Sequence, residues 1–227
     1  MDVQTNPFCA AGMHLPNGSF ATFGGNNAIG PGGDNSDPDS TTAYDPTYQD
    51  HGGTRAIRII SPCTGDLSSP QCSWYDSPNG LQMAKSRWYP GAEPLADGTV
   101  VLIGGFTAGG YINRNYPNTD PAYEGGAAEP TFEFFPSRSQ TPQVMNFMVN
   151  TSGLNSYALT YLMPSGKMFL QANFSTSEVD VTFHPISLTN YHQFCGIIML
   201  MSRRPCLTRL GRLLGCTLRR EQMPCCL

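Results

Sequence analysis

The chain has 227 residues, of which 13% are charged, with a formal net charge of −4. That charge is divided: residues 1–185 hold seven Lys/Arg against sixteen Asp/Glu, and residues 186–227 hold six Arg against one Glu. An acidic body argues against nucleic-acid binding. The longest apolar run, residues 196–201, is far too short to cross a bilayer as a helix.

Composition narrows the fold class. Gly (24) and Pro (19) are plentiful, and twelve Phe, ten Tyr and two Trp supply core material. A turn-rich, aromatic-rich, charge-poor chain points to all-β structure. Met1 is followed by Asp2 with no charged-then-apolar leader, so no signal peptide is read at the start.

In chain order, three segments share one pattern, at residues 12–25, 92–105 and 158–172. Each reads as an apolar strand, a polar two-residue turn ending in Gly, and a second apolar strand. The turns are Asn17-Gly18, Asp97-Gly98 and Ser165-Gly166. Asn-Gly and Asp-Gly suit the left-handed dihedrals of a two-residue hairpin turn. In the first two copies a Gly-Gly pair follows the turn glycine, as Gly24-Gly25 and Gly104-Gly105. Each unit offers one further strand, at residues 55–60, 131–135 and 178–183. Residues 30–53 read as a surface loop by composition. No stretch before the tail shows helical periodicity.

The turn glycines are 80 and 68 residues apart, which is long for a solenoid and suits four-stranded propeller blades with long loops. A propeller closes with about four to eight blades, so three units predict a partial ring. A two-sheet sandwich is the competing architecture. The recurrent Gly-Gly offset favours the propeller.

The cysteines divide as the charge does. Cys9, Cys63 and Cys72 lie in the body, and Cys195, Cys206, Cys216, Cys225 and Cys226 crowd the tail. Cys63 and Cys72 flank a turn-rich loop with no Cys/His pair nearby at zinc-site spacing. A loop-closing disulfide is expected, which fits an oxidising compartment. Glycosylation triplets stand at Asn17, Asn150 and Asn173.

The body resembles the glyoxal oxidase family of copper-radical oxidases and the related galactose oxidase. The Gly-Gly doublet after an Asp-Gly turn is similar to kelch-type blades. Residues 6–12, Asn-Pro-Phe-Cys-Ala-Ala-Gly, resemble the segment that carries the family's cross-linked cysteine. Residues 87–98, Arg-Trp-Tyr-Pro-Gly-Ala-Glu-Pro-Leu-Ala-Asp-Gly, resemble the segment of its tyrosine partner. Residues 55–58, 109–114, 131–136 and 159–166 match in the same order. The resemblance implies a kelch-like β-propeller over residues 1–185, about three blades. It implies that Cys9 and Tyr89 form a thioether-linked radical pair and that Tyr89 is a copper ligand. It also implies oxidation of small aldehydes to carboxylic acids, reduction of O2 to H2O2, and an extracellular location.

The family completes its copper site with an axial tyrosine, which acts as base, and two histidines. Tyr191-His192 imitates the adjacent tyrosine and histidine, but residues 193–199 do not continue as an apolar hairpin. His14, His51 and His184 lie in no ligand-like setting. From about residue 186 the blade pattern is lost and Arg and Cys accumulate, so residues 186–227 read as a tail foreign to the family, disordered or poorly packed. The chain is therefore expected to lack most copper ligands, to hold no cofactor itself, and to be inactive. A non-catalytic kelch-like scaffold is the alternative, and it has no need of a Cys9/Tyr89 pair.

Overall fold

A computed structural model describes residues 3–33, 43–65, 69–107, 128–138, 141–150, 156–172 and 175–180. They form four small antiparallel sheets, none of them closed. The expected segment at residues 109–114, the histidines His184 and His192, Tyr191, Asn173 and the Cys/Arg-rich tail lie outside the described residues.

The first sheet contains β1 (Ala11–His14), β2 (Phe20–Phe23) and β5 (Ile57–Ile60), in the order β1-β2-β5. Tyr75 extends it through reciprocal backbone hydrogen bonds with Ile59 of 2.7 and 3.1 Å. A two-stranded excursion, β3 (Tyr44–Asp45) and β4 (Asp50–His51), interrupts the expected loop. The second sheet runs β6 (Gly91–Pro94), β7 (Val100–Ile103), β8 (Thr131–Phe135) and β9 (Gln143–Val144), in chain order. A five-residue helix, α1 (Asn146–Asn150), follows. It is too short to leave a helical period in the sequence. The third sheet is β10 (Leu159–Leu162), β11 (Lys167–Ala172) and β12 (Ser175–Asp180). Its last strand begins three residues earlier than expected.

The three hairpins differ from the two-residue turns read in the sequence. Gly18 donates its N–H to Leu15 O at 2.9 Å, Gly98 to Leu95 O at 2.9 Å and Gly166 to Met163 O at 2.9 Å. Each loop therefore spans three residues ending in a left-handed glycine, with φ of 84°, 85° and 79°. The residue before the glycine is not left-handed, so the turn is an ordinary one followed by a glycine bulge. The polar residue has another task. Asn17 Oδ1, Asp97 Oδ1 and Ser165 Oγ accept the N–H two residues on, at 3.0, 3.1 and 3.4 Å. Such local side-chain bonds explain Asn, Asp and Ser in equivalent places.

The sheets pack in sequence order. Val100 and Leu102 of β7 join Ala21, Phe23 and Ile57 of the first sheet in one apolar cluster. Val101 and Ile103, on the other face of β7, join Met168, Leu170, Ala172 and Val179 of the third sheet in another. All four residues of β7 are buried, as period-two geometry requires of a strand covered on both faces. Three sheets in series are not the two-layer sandwich weighed above.

Among the described residues two arginines are fully buried. Arg58 on β5 donates to Thr5 Oγ1 at 2.6 Å, Gly24 O at 2.8 Å and Asn6 O at 3.0 Å. Asp76, 3.9 Å away, offsets part of the burial that lowers Arg58 to about 10. Arg87 donates to Gly104 O at 2.8 Å, Thr131 O at 3.0 Å, Thr131 Oγ1 at 2.9 Å and Glu133 Oε1 at 3.0 Å. Each guanidinium thus holds the carbonyl of the first glycine in a Gly-Gly pair. The pairs are needed for close approach as well: a Cβ on Gly24 would lie 2.2 Å from Arg87 O, and one on Gly25 2.1 Å from Asn6 O.

Replacing one partner of a buried, hydrogen-bonded ion pair leaves the others unpaired and costs roughly 3–5 kcal/mol. Arg87→Leu is expected to lose that amount in urea denaturation, and Arg87→Lys a smaller part, because lysine keeps the charge but not the planar fork. A loss below about 1 kcal/mol in Arg87→Leu would show that the network is not a structural tie.

Candidate redox site at the strand entrances

Cys9, Tyr89 and Tyr157 stand at one position of the repeat. Each lies nine residues before its turn glycine and two before the first strand of its sheet. Each is also left-handed, with φ of 62°, 58° and 47°. Side chains with a Cβ avoid that region, and such outliers gather at functional sites. The backbone links the three in a relay. Tyr89 N–H donates to Cys9 O at 3.1 Å, and Tyr157 N–H donates to Tyr89 O at 2.8 Å.

The side chains meet as well. The Tyr89 ring lies 4.9 Å from the Tyr157 ring, perpendicular to it, and 4.2 Å from the Trp88 ring. Side-chain hydrogen bonding with Cys9 is the first cause that raises the Tyr89 phenol above its ordinary 10, with burial and the charge of Cys9 adding to it. Tyr157 is pushed up to about 12, by burial first and then by Cys9 and Tyr89. Trp88 Nε1 is buried beside this group, without a hydrogen-bond partner among the described residues.

Cys9 and Tyr89, singled out in the sequence, are therefore brought together, and Cys9 is a free thiol. Tyr157 was missed. It lacks the Gly-Gly context that marked the first two units. The nine-residue offset from the turn glycine would have found it.

Cys63 and Cys72 are joined in a disulfide with Cα atoms 5.4 Å apart. Two histidines are engaged elsewhere: His14 packs edge-on against Phe20 at 5.2 Å, and His51 lies 4.5 Å from Tyr44. Among the described residues no three His, Cys, Asp or Glu side chains gather as a metal site. The described residues thus offer a thiol and two phenols to a copper centre, and no histidine nitrogen. No step through a metal follows from them.

The architecture defines an all-β protein of repeated hairpin sheets with a cysteine–tyrosine contact at the strand entrances. No family model matches the chain. It is similar to a protein named "Aldehyde oxidase GLOX" from Vitis pseudoreticulata, 24% identical over 190 residues, covering 83% of this chain and 27% of that protein. It is also similar to a "WSC domain-containing protein" of Arthroderma benhamiae, 26% identical over 171 residues, covering 74% of this chain and 14% of that protein. The chain spans about a quarter and about a seventh of these two lengths. These are distant likenesses, and the first agrees with the expected aldehyde oxidase relationship.

The disulfide closes a short loop, for which chain entropy gives about 2–3 kcal/mol. Cys63→Ser with Cys72→Ser is expected to lower stability by that amount in denaturant, and non-reducing peptide maps should show the two parent peptides joined. Free thiols at both positions in the oxidised, folded protein would contradict this.

Proposed function

We propose that residues 1–185 are the N-terminal repeats of a kelch-like β-propeller from an extracellular copper-radical oxidase that turns small aldehydes into carboxylic acids, reducing O2 to H2O2, and that residues 186–227 are a separate tail. The observation that carries this reading is the meeting of Cys9 and Tyr89 at equal positions of consecutive sheets, where Tyr89 N–H donates to Cys9 O at 3.1 Å. Successive sheets with adjoining first strands support the propeller: β1 lies against β6, and β6 against β10. The third sheet adds to this. Leu159 and Tyr161 of β10 are exposed, while Gly91 and Glu93, their counterparts on β6, are buried and half-buried. A further sheet of the same kind would cover them. The disulfide fits an oxidising compartment, and no helix among the described residues is long and apolar enough to cross a membrane.

In this reading the pair stores one oxidising equivalent. A thioether donates electron density into the phenol ring and stabilises its radical. Copper would supply the second redox equivalent, since O2 takes two electrons on the way to peroxide. Tyr89 would be one ligand, and the others would come from outside the described residues. Trp88 and Tyr157 pack against the Tyr89 ring.

Oxidation with hexachloroiridate(IV), a one-electron oxidant, tests the pair without metal. The S–H bond of Cys9 and a ring C–H bond of Tyr89 break, one S–C bond forms, two equivalents of oxidant take the two electrons, and buffer takes the two protons. The expected product has lost two hydrogen atoms in mass and yields the Cys9 and Tyr89 peptides covalently joined. Cys9→Ser and Tyr89→Phe should each abolish it. A Cys9 that stays a free thiol throughout would favour the scaffold reading.

A radical-copper site works only with its ligands held in place, and Tyr89 is the one ligand carried over among the described residues. The copper-supplemented chain is therefore expected to give no sustained peroxide from methylglyoxal. Peroxide release that disappears in Tyr89→Phe would place further ligands in residues outside those described.

A further inference from the structure

We propose that Asn17, at the tip of the first hairpin, is a modification site that carries an N-linked glycan. The inference rests on the extracellular part of the reading above, for which the Cys63–Cys72 disulfide speaks, and not on the redox pair. The triplet at Asn150 runs into residues outside the described ones, and Asn173 lies among them.

Residues 17–19 read Asn-Gly-Ser, an acceptor triplet. Pro16, Asn17 and Gly18 are exposed at the tip that joins β1 to β2. Asn17 Oδ1 accepts the Ser19 N–H at 3.0 Å, and no hydrogen bond to a described residue engages its Nδ2. The other two units serve as internal controls. Asp97 and Ser165 accept the N–H two residues on at equivalent places, so the turn needs an acceptor there and not an amide. Asp97-Gly98-Thr99 has the hydroxyl without the amide, and Ser165-Gly166-Lys167 lacks both the amide and the hydroxyl two residues on. The first unit alone of the three joins them. Its tip also stands clear of the site: β1 lies between Cys9 and Asn17, so a glycan leaves from the end of the sheet away from the strand entrances.

The donor class is an oligosaccharide joined to a lipid pyrophosphate. Asn17 Nδ2 attacks the anomeric carbon and a C–N bond forms. The C–O bond to the pyrophosphate breaks, its electron pair leaves with the lipid pyrophosphate, and a base of the transferase takes one amide proton. The product keeps Oδ1 unchanged, so the bond from Ser19 N–H survives and the hairpin accepts the sugar without rearrangement. Ser19 is 2% exposed and its carbonyl accepts the Leu15 N–H at 2.7 Å. Its hydroxyl is therefore open to a transferase before the hairpin closes, as the chain enters the compartment. Residues 15–20 hold no charged side chain, and the glycan gives this tip a bulky, solvated cover.

The test uses the full chain, secreted from a eukaryotic host behind a heterologous leader. Entry into the compartment is then imposed, so failure at Asn17 is distinct from failure of the extracellular reading. The secreted protein is treated with peptide N-glycosidase in heavy-oxygen water and mapped by peptide mass. Most Asn17 peptides are expected to emerge with the asparagine converted to labelled aspartate. Asn17→Asp keeps the turn acceptor, as Asp97 does in the second unit, and removes the amide. It is expected to lose that glycan while melting stays unchanged and the Cys63–Cys72 disulfide stays intact. Ser19→Ala keeps the amide and removes the hydroxyl, and is expected to lose the glycan as well. If neither variant is secreted, the map of the parent decides by itself. An unmodified Asn17 in the secreted, disulfide-bonded parent overturns the proposal, and so does a glycan found at Asn150 or Asn173 alone.

Discussion

The buried guanidinium of Arg87 ties together everything that places the site. It binds Gly104 O at the end of β7, Thr131 at the start of β8 and the Glu133 carboxylate. Its own backbone reaches into the first unit, where its N–H donates to Thr54 O at 2.7 Å and its carbonyl accepts from Gly25 at 3.2 Å. Burial by itself lowers the Arg87 pKa, and Glu133 and Glu129 oppose that. Burying a charge is costly unless partners take nearly every donor. The partners here are two carbonyls, a hydroxyl and a carboxylate with fixed places, so the network specifies one geometry for the chain that leads to Trp88 and Tyr89.

Arg58 does the corresponding work in the first unit. It binds Asn6 O and Gly24 O, and Asn6 is three residues before Cys9. Each guanidinium therefore sits a few residues upstream of a member of the pair or binds just upstream of one. The Gly-Gly doublets permit this, because a Cβ at Gly24, Gly25 or Gly105 would collide with the backbone of the segments leading to Cys9 and Tyr89. The third unit has no such doublet and no described buried arginine. Its entrance residue, Tyr157, is held instead by the N–H bond to Tyr89 O.

The left-handed entrances connect fold to chemistry. Turning the backbone by one strained residue just before the first strand aims three side chains at one place, one from each sheet. The competing uses of such a residue, core packing for a tyrosine or a small buried apolar group for a cysteine, do not require the same dihedral at the same offset three times. The scaffold alternative leaves that coincidence without a purpose, whereas the redox pair proposed for Cys9 and Tyr89 would use it.

Much of this was legible in the amino-acid sequence, and for a physical reason. Hairpin strands announce themselves by local apolar runs, and the turn glycines by their unique access to positive φ, so β1, β2, β6, β7, β10 and β11 and their pairings follow from neighbouring residues alone. Thr131–Phe135 was equally plain as an aromatic run. The sequence also brought Cys9 and Tyr89 forward, by resemblance rather than by geometry. What it did not decide were features set by distant parts of the chain. The expected two-residue turn is a three-residue one, in which the polar residue accepts the N–H two positions on. The roles of Arg58 and Arg87 depend on carbonyls as many as 52 positions away or on other strands. Tyr157 stands 68 residues beyond Tyr89, and only its nine-residue offset from Gly166 marks its place in the sequence. Only the packing of sheet on sheet, which buries one strand on both faces and lines up the three entrances, brings its ring against that of Tyr89.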